Sequence, residues 1–365
     1  MTSLFSRQEL TFSSHPYLPP QDGIPVSCTS QEVLDFYRLS SSRAFTDELF
    51  AISAALRDRY LGKTPWWSAC ISAIAANGGD QAGSGGGYCF RLGPWERSVV
   101  AAVGAVADLG IGHVHLVAGC REAGNGQQAN GYDRYLIDLV AAIRGAVDLE
   151  VEVDFQSLST RGEVRALKEL GVFAINCRLE TLNPDLYRRF NPQDDLQKRI
   201  RLMELCEEEG VPIRTTMQVG LGETDGERIE HLLFLRRFNM LGHLSMSLHT
   251  PFPEMTTTSI RFNPWPIARL TAIARLLYPW LDLSLAACND RDNLALWWLA
   301  GGGNQIVGAD ASMNETYHRS GIDSRVIAVS DGVVLHDLMS SITGHFGDLG
   351  LTPGGIPFNT VLQRF

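Results

Sequence analysis

Between positions 65 and 309, short apolar runs alternate with longer stretches of helical periodicity, and no single motif limits the fold as strongly as that rhythm. Alternating or continuous apolar residues predict strands at 66–74, 113–117, 149–155, 174–178, 213–219, 244–248, 281–286 and 305–307. Apolar residues at three- and four-residue spacing predict helices between them, at 96–109, 133–146, 161–170, 196–209, 227–239, 266–278 and 292–300. Each unit repeats after roughly 30–40 residues, long enough for a helix to cross the sheet and return the chain to a parallel strand. Eight strands within the 245-residue span from Pro65 to Ala309 suit a (β/α)8 barrel, which needs about 250 residues. A doubly wound open sheet shares this local spacing and is the competing architecture. In a barrel the binding groups gather at the carboxyl ends of the strands, so those ends are read most closely.

The expected architecture is therefore α/β: a TIM-type (β/α)8 barrel over residues 63–310, with an N-terminal helical extension over 1–62 and a C-terminal cap region over 311–365. Within the extension the helical pattern runs from Thr29 to Tyr60, with Gly62 as the residue that ends it. A formal charge of −10 lacks the basic excess of a nucleic-acid binder. No apolar run reaches the roughly 18–20 residues that span a bilayer, and the first twenty residues lack the basic-then-apolar order of a signal peptide. Seven cysteines, at 28, 70, 89, 120, 177, 206 and 288, are odd in number and follow no disulfide framework. The expectation is a cytoplasmic chain with free thiols, no nucleic-acid partner and no membrane partner.

Five segments carry candidate chemistry. AANGGDQAGSGGGYCF, at 75–90, follows the first strand; it has neither GxGxxG nor GxxxxGK[ST] spacing and reads as a glycine-rich loop with one thiol, Cys89. In HVHLVAGCRE, His113 and His115 point to one face, but no third metal ligand accompanies them, so no metal is expected; Gly119 and Glu122 lie at the strand exit. In CRLETLNPDLYRRFNP, Arg178 and Glu180 share a face of an extended segment, where Arg suits a carboxylate and Glu an ammonium. A purely structural ion pair is the alternative. Arg199, on the next helix, supplies a second cation. In TTMQVGLGETDGE, Gly220 and Gly222 permit close approach of a ligand, and Thr224 or Asp225 suits a helix N-cap. Finally, His249, Asn289, Asp290 and Arg291 follow late strands and suit substrate recognition, whereas Trp297 and Trp298 read as core.

Taken in order, RLETLNPDLYRRFNP, QKRIRLMELCEEEGVPIRTTMQVGLGET and CNDRDNLALWWLAGGGNQIVG resemble the biotin synthase branch of the radical S-adenosylmethionine (SAM) superfamily. That branch includes the diiron-hydrogenase maturase and methylornithine synthase, and the likeness covers roughly residues 40–345. It implies a TIM-type barrel that binds SAM. Arg178 and Glu180 then correspond to the pair near the methionine part, Arg199 to the cation that meets the carboxylate, and Gly220 and Gly222 to the segment beside the adenosine. Gly119 and Glu122 match the strand-two motif loosely, and Tyr88 and Phe90 are placed by the adenine. The departure lies in the [4Fe–4S] motif CX3CX2C. With Cys89 as its third cysteine, Gly86 and Ala82 stand at the other two positions.

One thiolate does not hold such a cluster. The expected function is therefore a cluster-free barrel that binds SAM, or a related amino-acid nucleotide, and performs non-radical chemistry on a small-molecule substrate. Glu180, His249 and Asp290 are its candidate acid–base groups, and His249, Asn289 and Arg291 its substrate contacts. Two alternatives stand beside it: a non-catalytic pseudoenzyme that partners a radical SAM paralogue or a second copy of itself, and a radical enzyme with an atypical [4Fe–4S] site.

Overall fold

A computed structural model describes residues 28–74, 96–118, 129–192, 194–249, 263–285, 293–312, 324–330, 333–347 and 349–354. Eight parallel strands follow one another in sequence order: β1 (Trp66–Ile74), β2 (His113–Ala118), β3 (Glu150–Phe155), β4 (Ala174–Asn176), β5 (Ile213–Val219), β6 (Leu241–Leu248), β7 (Asp282–Leu285) and β8 (Gln305–Ser312). The ladder runs β7-β6-β5-β4-β3-β2-β1-β8 and curls upon itself. Its curl is visible in Arg214 on β5, which reaches Glu152 on β3, Gln305 on β8 and Ser284 on β7 at 2.8, 3.1 and 3.4 Å. Those four residues face one lumen, as in a barrel.

Among the described residues, β7 and β8 form no ladder. Two further strands, β9 (Arg325–Ser330) and β10 (Val333–Asp337), form an antiparallel pair, and β10 takes the free edge of β8 from Ala309 to Ser312. Sequence reading gave neither strand, because this edge belongs to residues assigned to a cap. The lower end of β8 is joined to β7 by the Gly303 and Asn304 N–H groups, which donate to the Leu283 carbonyl at 2.8 and 3.4 Å. Gly301-Gly302-Gly303 makes the turn that allows this approach. Gly301 has φ +84°, and a Cβ there would lie 2.7 Å from the Ser53 backbone. Gly301→Ala is therefore expected to lose about 1–3 kcal/mol by overpacking. A urea midpoint equal to that of the wild type would show that this contact gives way freely.

Helices shield the outer faces of the strands. Outward side chains such as Val114, Leu116, Val151, Val153, Ile213, Leu244 and Met246 are buried beneath them and form the apolar core. The helices start where local chemistry predicts: Thr160 and Thr224 each close a capping box with a glutamate three residues on, and Asn183 caps Pro184–Phe190 with proline at the first turn. Leu196–Glu209 has its predicted bounds and ends at Gly210, φ +68°. Among its described residues the extension holds two helices, Ser30–Leu39 and Arg43–Tyr60, the second followed by Gly62 at φ +81°. Arg57 lies 3.5 Å over the Trp298 ring, and both Trp297 and Trp298 are buried, as expected of core residues. No described helix is long and apolar enough to cross a membrane.

Candidate functional site

The strands carry polar residues on alternate positions that face the lumen. His113 and His115 on β2, Glu152 and Asp154 on β3, Arg214 on β5, His243 on β6 and Asp282 and Ser284 on β7 alternate with outward apolar residues. The result is a polar chamber inside an apolar shell.

Its floor is aromatic. Trp66, His113 and Phe173 meet edge to face, with centroid distances of 5.0–6.4 Å. The Trp66 indole N–H donates to Asp282 Oδ2 at 3.1 Å, and burial, opposed by Arg275, pushes the Asp282 carboxyl up to about 7. The middle layer centres on Glu152. Arg214 donates to it at 2.8 Å, His115 Nε2 lies 3.4 Å away and His113 Nε2 3.6 Å away. Burial pushes His115 and His243 towards the neutral form: His115 falls to about 3, with Glu152 opposing, and His243 also falls well below its ordinary value. Neutral imidazoles around an ion pair act as hydrogen-bonding groups, not as added charge. No group of three or more His, Cys, Asp or Glu among the described residues is arranged to hold a metal ion.

The upper layer is built where β4 breaks. The expected strand 174–178 ends at Asn176, after which Arg178 and Glu180 adopt left-handed backbones, φ +40° and +54°. Period-two alternation therefore does not put their side chains together; two strained residues do, while the Glu180 N–H and carbonyl rejoin β5 at Thr216 and Gln218, both at 2.9 Å. Left-handed bulky residues cost of order 1–3 kcal/mol each and persist where the surroundings hold them, often at functional sites. Arg178 Nη2 donates to Glu180 Oε1 at 3.4 Å, and its Nε lies 3.6 Å from Asp154 Oδ2. Asn191 donates to the other Glu180 oxygen at 2.6 Å, and Asn176 donates to Asp154 Oδ2 at 3.1 Å. The rim thus holds one guanidinium between two carboxylates, each braced by an asparagine.

The other expected site residues divide clearly. His249 stands on the same rim, stacked edge to face on Phe190 at 4.8 Å, and is pushed towards neutral by burial against the field of Glu180. Arg199 is buried, donating from Nε to Asp194 (2.7 Å) and from Nη2 to the Gln156 carbonyl (2.6 Å). Gly220 and Gly222 have φ +97° and +112°, and the loop they shape closes on itself: Glu223 accepts from the Gly220 and Leu221 N–H groups at 2.8 and 2.7 Å. Tyr88, Phe90, Gly119, Glu122, Asn289, Asp290 and Arg291 lie outside the described residues, as does Cys89. Glu152, Asp154, Arg214, His243, Asp282 and Ser284 were missed by reading strand ends alone. Their signal was present as polar residues on alternate strand positions in EVEVDF, IRTTMQ, GHLSMSL and DLSL.

Known proteins share part of this sequence and the fold. The pattern of the Radical SAM superfamily spans residues 94–235. An uncharacterized protein of Methanocaldococcus jannaschii is 26% identical over 49% of this chain and 48% of its own length. The biotin synthase of Chlamydia abortus is 29% identical over 49% and 52%, and a 7,8-didemethyl-8-hydroxy-5-deazariboflavin synthase of Synechocystis is 28% identical over 33% and 40%. The chain thus spans about half or less of these relatives. In fold, the FeFe-hydrogenase maturase HydG from Carboxydothermus hydrogenoformans superposes with a TM-score of 0.71 at 18% identity, covering 93% of this chain and 78% of that one. Methylornithine synthase (PylB) gives 0.65 at 15% identity, covering 89% and 94%. Residues 94–235 thus match the pattern of the Radical SAM superfamily, and the fold is the one shared with HydG and methylornithine synthase.

Proposed function

We propose that the barrel mouth binds SAM or a related amino-acid nucleotide, and that the chain uses it in polar, non-radical chemistry on a small molecule. The observation that carries this reading is the strained Arg178–Glu180 pair, held at 3.4 Å above a polar chamber. A guanidinium beside a carboxylate matches the two charges of an amino-acid head, Arg178 towards its carboxylate and Glu180 towards its ammonium. Donor chemistry supports the fit of such a ligand. It does not support a [4Fe–4S] cluster: residues 75–95 contain Cys89 as their one cysteine, while clusters of this kind are held by several thiolates. When bound, a sulfonium such as SAM supplies an electrophilic carbon.

The chain's own residues do the rest. Arg178 and Glu180 orient the head group, Asn191 and Asn176 keep the two carboxylates in place, and Arg199 positions the rim by tying Asp194 to the Gln156 carbonyl. His249, largely neutral, is able to accept a proton at the rim. Asp290 remains a proposed acid–base group, and Asn289 and Arg291 proposed substrate contacts, with Tyr88, Phe90, Gly119, Glu122, Gly220 and Gly222 proposed around the nucleoside.

Similarity to a superfamily named for radical chemistry favours a second reading, a cluster held in an atypical way. Iron and sulfide analysis after anaerobic reconstitution separates the two: the expected protein is colourless and iron-free. A stoichiometric iron–sulfur content would sink the non-radical reading. Calorimetry with SAM is the companion test; absence of binding would favour the pseudoenzyme, a partner of an active paralogue or of a second copy.

A further inference from the structure

The loop after β5 is anchored from beneath, and its anchor leads out of the barrel to the N-terminal extension. The Glu223 side chain is only 3% exposed, and both its oxygens are engaged. They accept the Gly220 and Leu221 N–H groups at 2.8 and 2.7 Å, and Arg228 Nε donates to Oε1 at 2.8 Å. Arg228 also donates from Nη1 to Asp225 at 2.9 Å. It stands on the helix Asp225–Phe234, against which the helix Ser30–Leu39 packs. From that N-terminal helix the buried Tyr37 stands beside Arg228. Burial raises the Tyr37 phenol above its ordinary value, with Arg228 and Arg269 opposing and Asp225 reinforcing. Its hydroxyl donates to the Pro266 carbonyl at 3.3 Å, and Arg269 lies 4.9 Å over its ring. Tyr37 is thus fixed from two sides.

This anchorage exceeds what a helix start requires. Thr224 and Glu227 already close the capping box of Asp225–Phe234, so the cap does not need Glu223 or Arg228. What the carboxylate holds is the loop. Gly220 and Gly222 have no side chains to fix their positive-φ backbones, and Glu223 takes that part through the backbone amides.

We propose that Tyr37 and Arg228 are positioning residues for the nucleoside half of the ligand: the docked N-terminal helix, acting through Tyr37, Arg228 and Glu223, sets the shape of the Gly220–Gly222 loop. This rests on the reading that the mouth binds an amino-acid nucleotide, and it divides the mouth into two independently supported halves. Arg178 and Glu180 hold the amino-acid head from the end of β4, where the backbone itself is strained. The loop that receives the nucleoside is held from outside the barrel, by a helix that precedes β1 in sequence. Tyr37 and Arg228 act on the ligand only through Glu223 and the loop amides. A change at either residue therefore reaches one half of the ligand and spares the other.

The test splits the ligand: methionine probes the head and 5′-methylthioadenosine the nucleoside, each titrated calorimetrically into the full chain. Arg228→Met is expected to weaken 5′-methylthioadenosine about tenfold and methionine less than about twofold. Arg228→Lys keeps the charge but not the planar fork, and should fall between Arg228→Met and the wild type. Hydrogen exchange reads the loop without any ligand. In Arg228→Met the Gly220 and Leu221 amides should exchange about tenfold faster, while those of the helix Leu196–Glu209 keep their wild-type rates. Tyr37→Phe removes one hydroxyl and should move both readouts the same way by about threefold. Equal losses of methionine and 5′-methylthioadenosine, the mark of a merely structural ion pair, would overturn the proposal, as would unchanged exchange at Gly220 and Leu221. Should Arg228→Met misfold, Tyr37→Phe decides by the same two measurements. A wild type that binds neither half rejects the reading of the mouth, and the nucleoside assignment with it. A wild type that binds both, with both variants unchanged, rejects the positioning role alone.

Discussion

Glu152→Ala is expected to cost the fold about 3–5 kcal/mol, because it leaves the Arg214 guanidinium buried without its carboxylate. Both side chains are buried in the middle of the lumen, and water is not at hand to solvate the survivor. The pair has a pH signature. Burial pushes the Glu152 carboxyl up, but Arg214, His115 and His113 together outweigh it and hold the group well below the usual carboxylate range. A depressed carboxyl contributes stability above its unfolded value of 4.5, and that contribution is lost as pH falls through the folded value. The wild type is thus expected to lose this share of its stability on acidification below about pH 4, whereas Glu152→Ala has none to lose. The double variant Glu152→Leu/Arg214→Leu should recover much of the deficit, since apolar replacement of a whole buried pair is often neutral. Thermal and urea melts of the three proteins decide it. A single variant as stable as the wild type would mean that the lumen is wet enough to solvate Arg214 alone.

Arg178→Gly separates binding from folding at the rim. Arg178 sits at φ +40°, where glycine carries no steric penalty, so the substitution relieves strain of order 1 kcal/mol. It also removes the guanidinium between Asp154 and Glu180. The relieved strain offsets only part of the cost of leaving the buried Asp154 and Glu180 without their cation, so the expected outcome is a folded protein with a moderately lowered melting temperature and SAM affinity reduced roughly 10- to 100-fold, the value of a charge-assisted contact of about 1.5–3 kcal/mol. Arg178→Lys should lose part of that affinity, because an ammonium keeps the charge but not the planar fork. Undiminished SAM binding in Arg178→Gly would remove Arg178 from the binding site and leave the pair as a structural device.

The rim and the chamber were legible to different degrees. Arg178, Glu180 and His249 follow strands, and strand ends are where a barrel places its binding groups, so these three could be chosen from order alone. The reason given for the first two was incomplete: side-chain alternation assumes an extended backbone, and the chain leaves that conformation after Asn176. Arg199 and the Gly220–Gly222 loop show the opposite limit. Their residue types suit a ligand, yet Arg199 meets Asp194 and the Gln156 carbonyl, and the loop amides meet Glu223. A guanidinium or a glycine amide has the same sequence signature whether its partner is a ligand or the chain itself.

By itself the sequence determined the element order, because apolar period and helix caps are local properties: Thr224, Asn183 and Gly210 act through neighbours within a few residues. It also determined that residues 75–95 hold a single cysteine. Tertiary structure decided what those strands enclose. Glu152 finds Arg214 across 62 positions of sequence, and Arg214 finds Gln305 across 91. Only the curl of the sheet turns scattered alternating polar residues into one chamber. Likewise β10, not β7, pairs with the upper half of β8, a competition for one edge that no local pattern records.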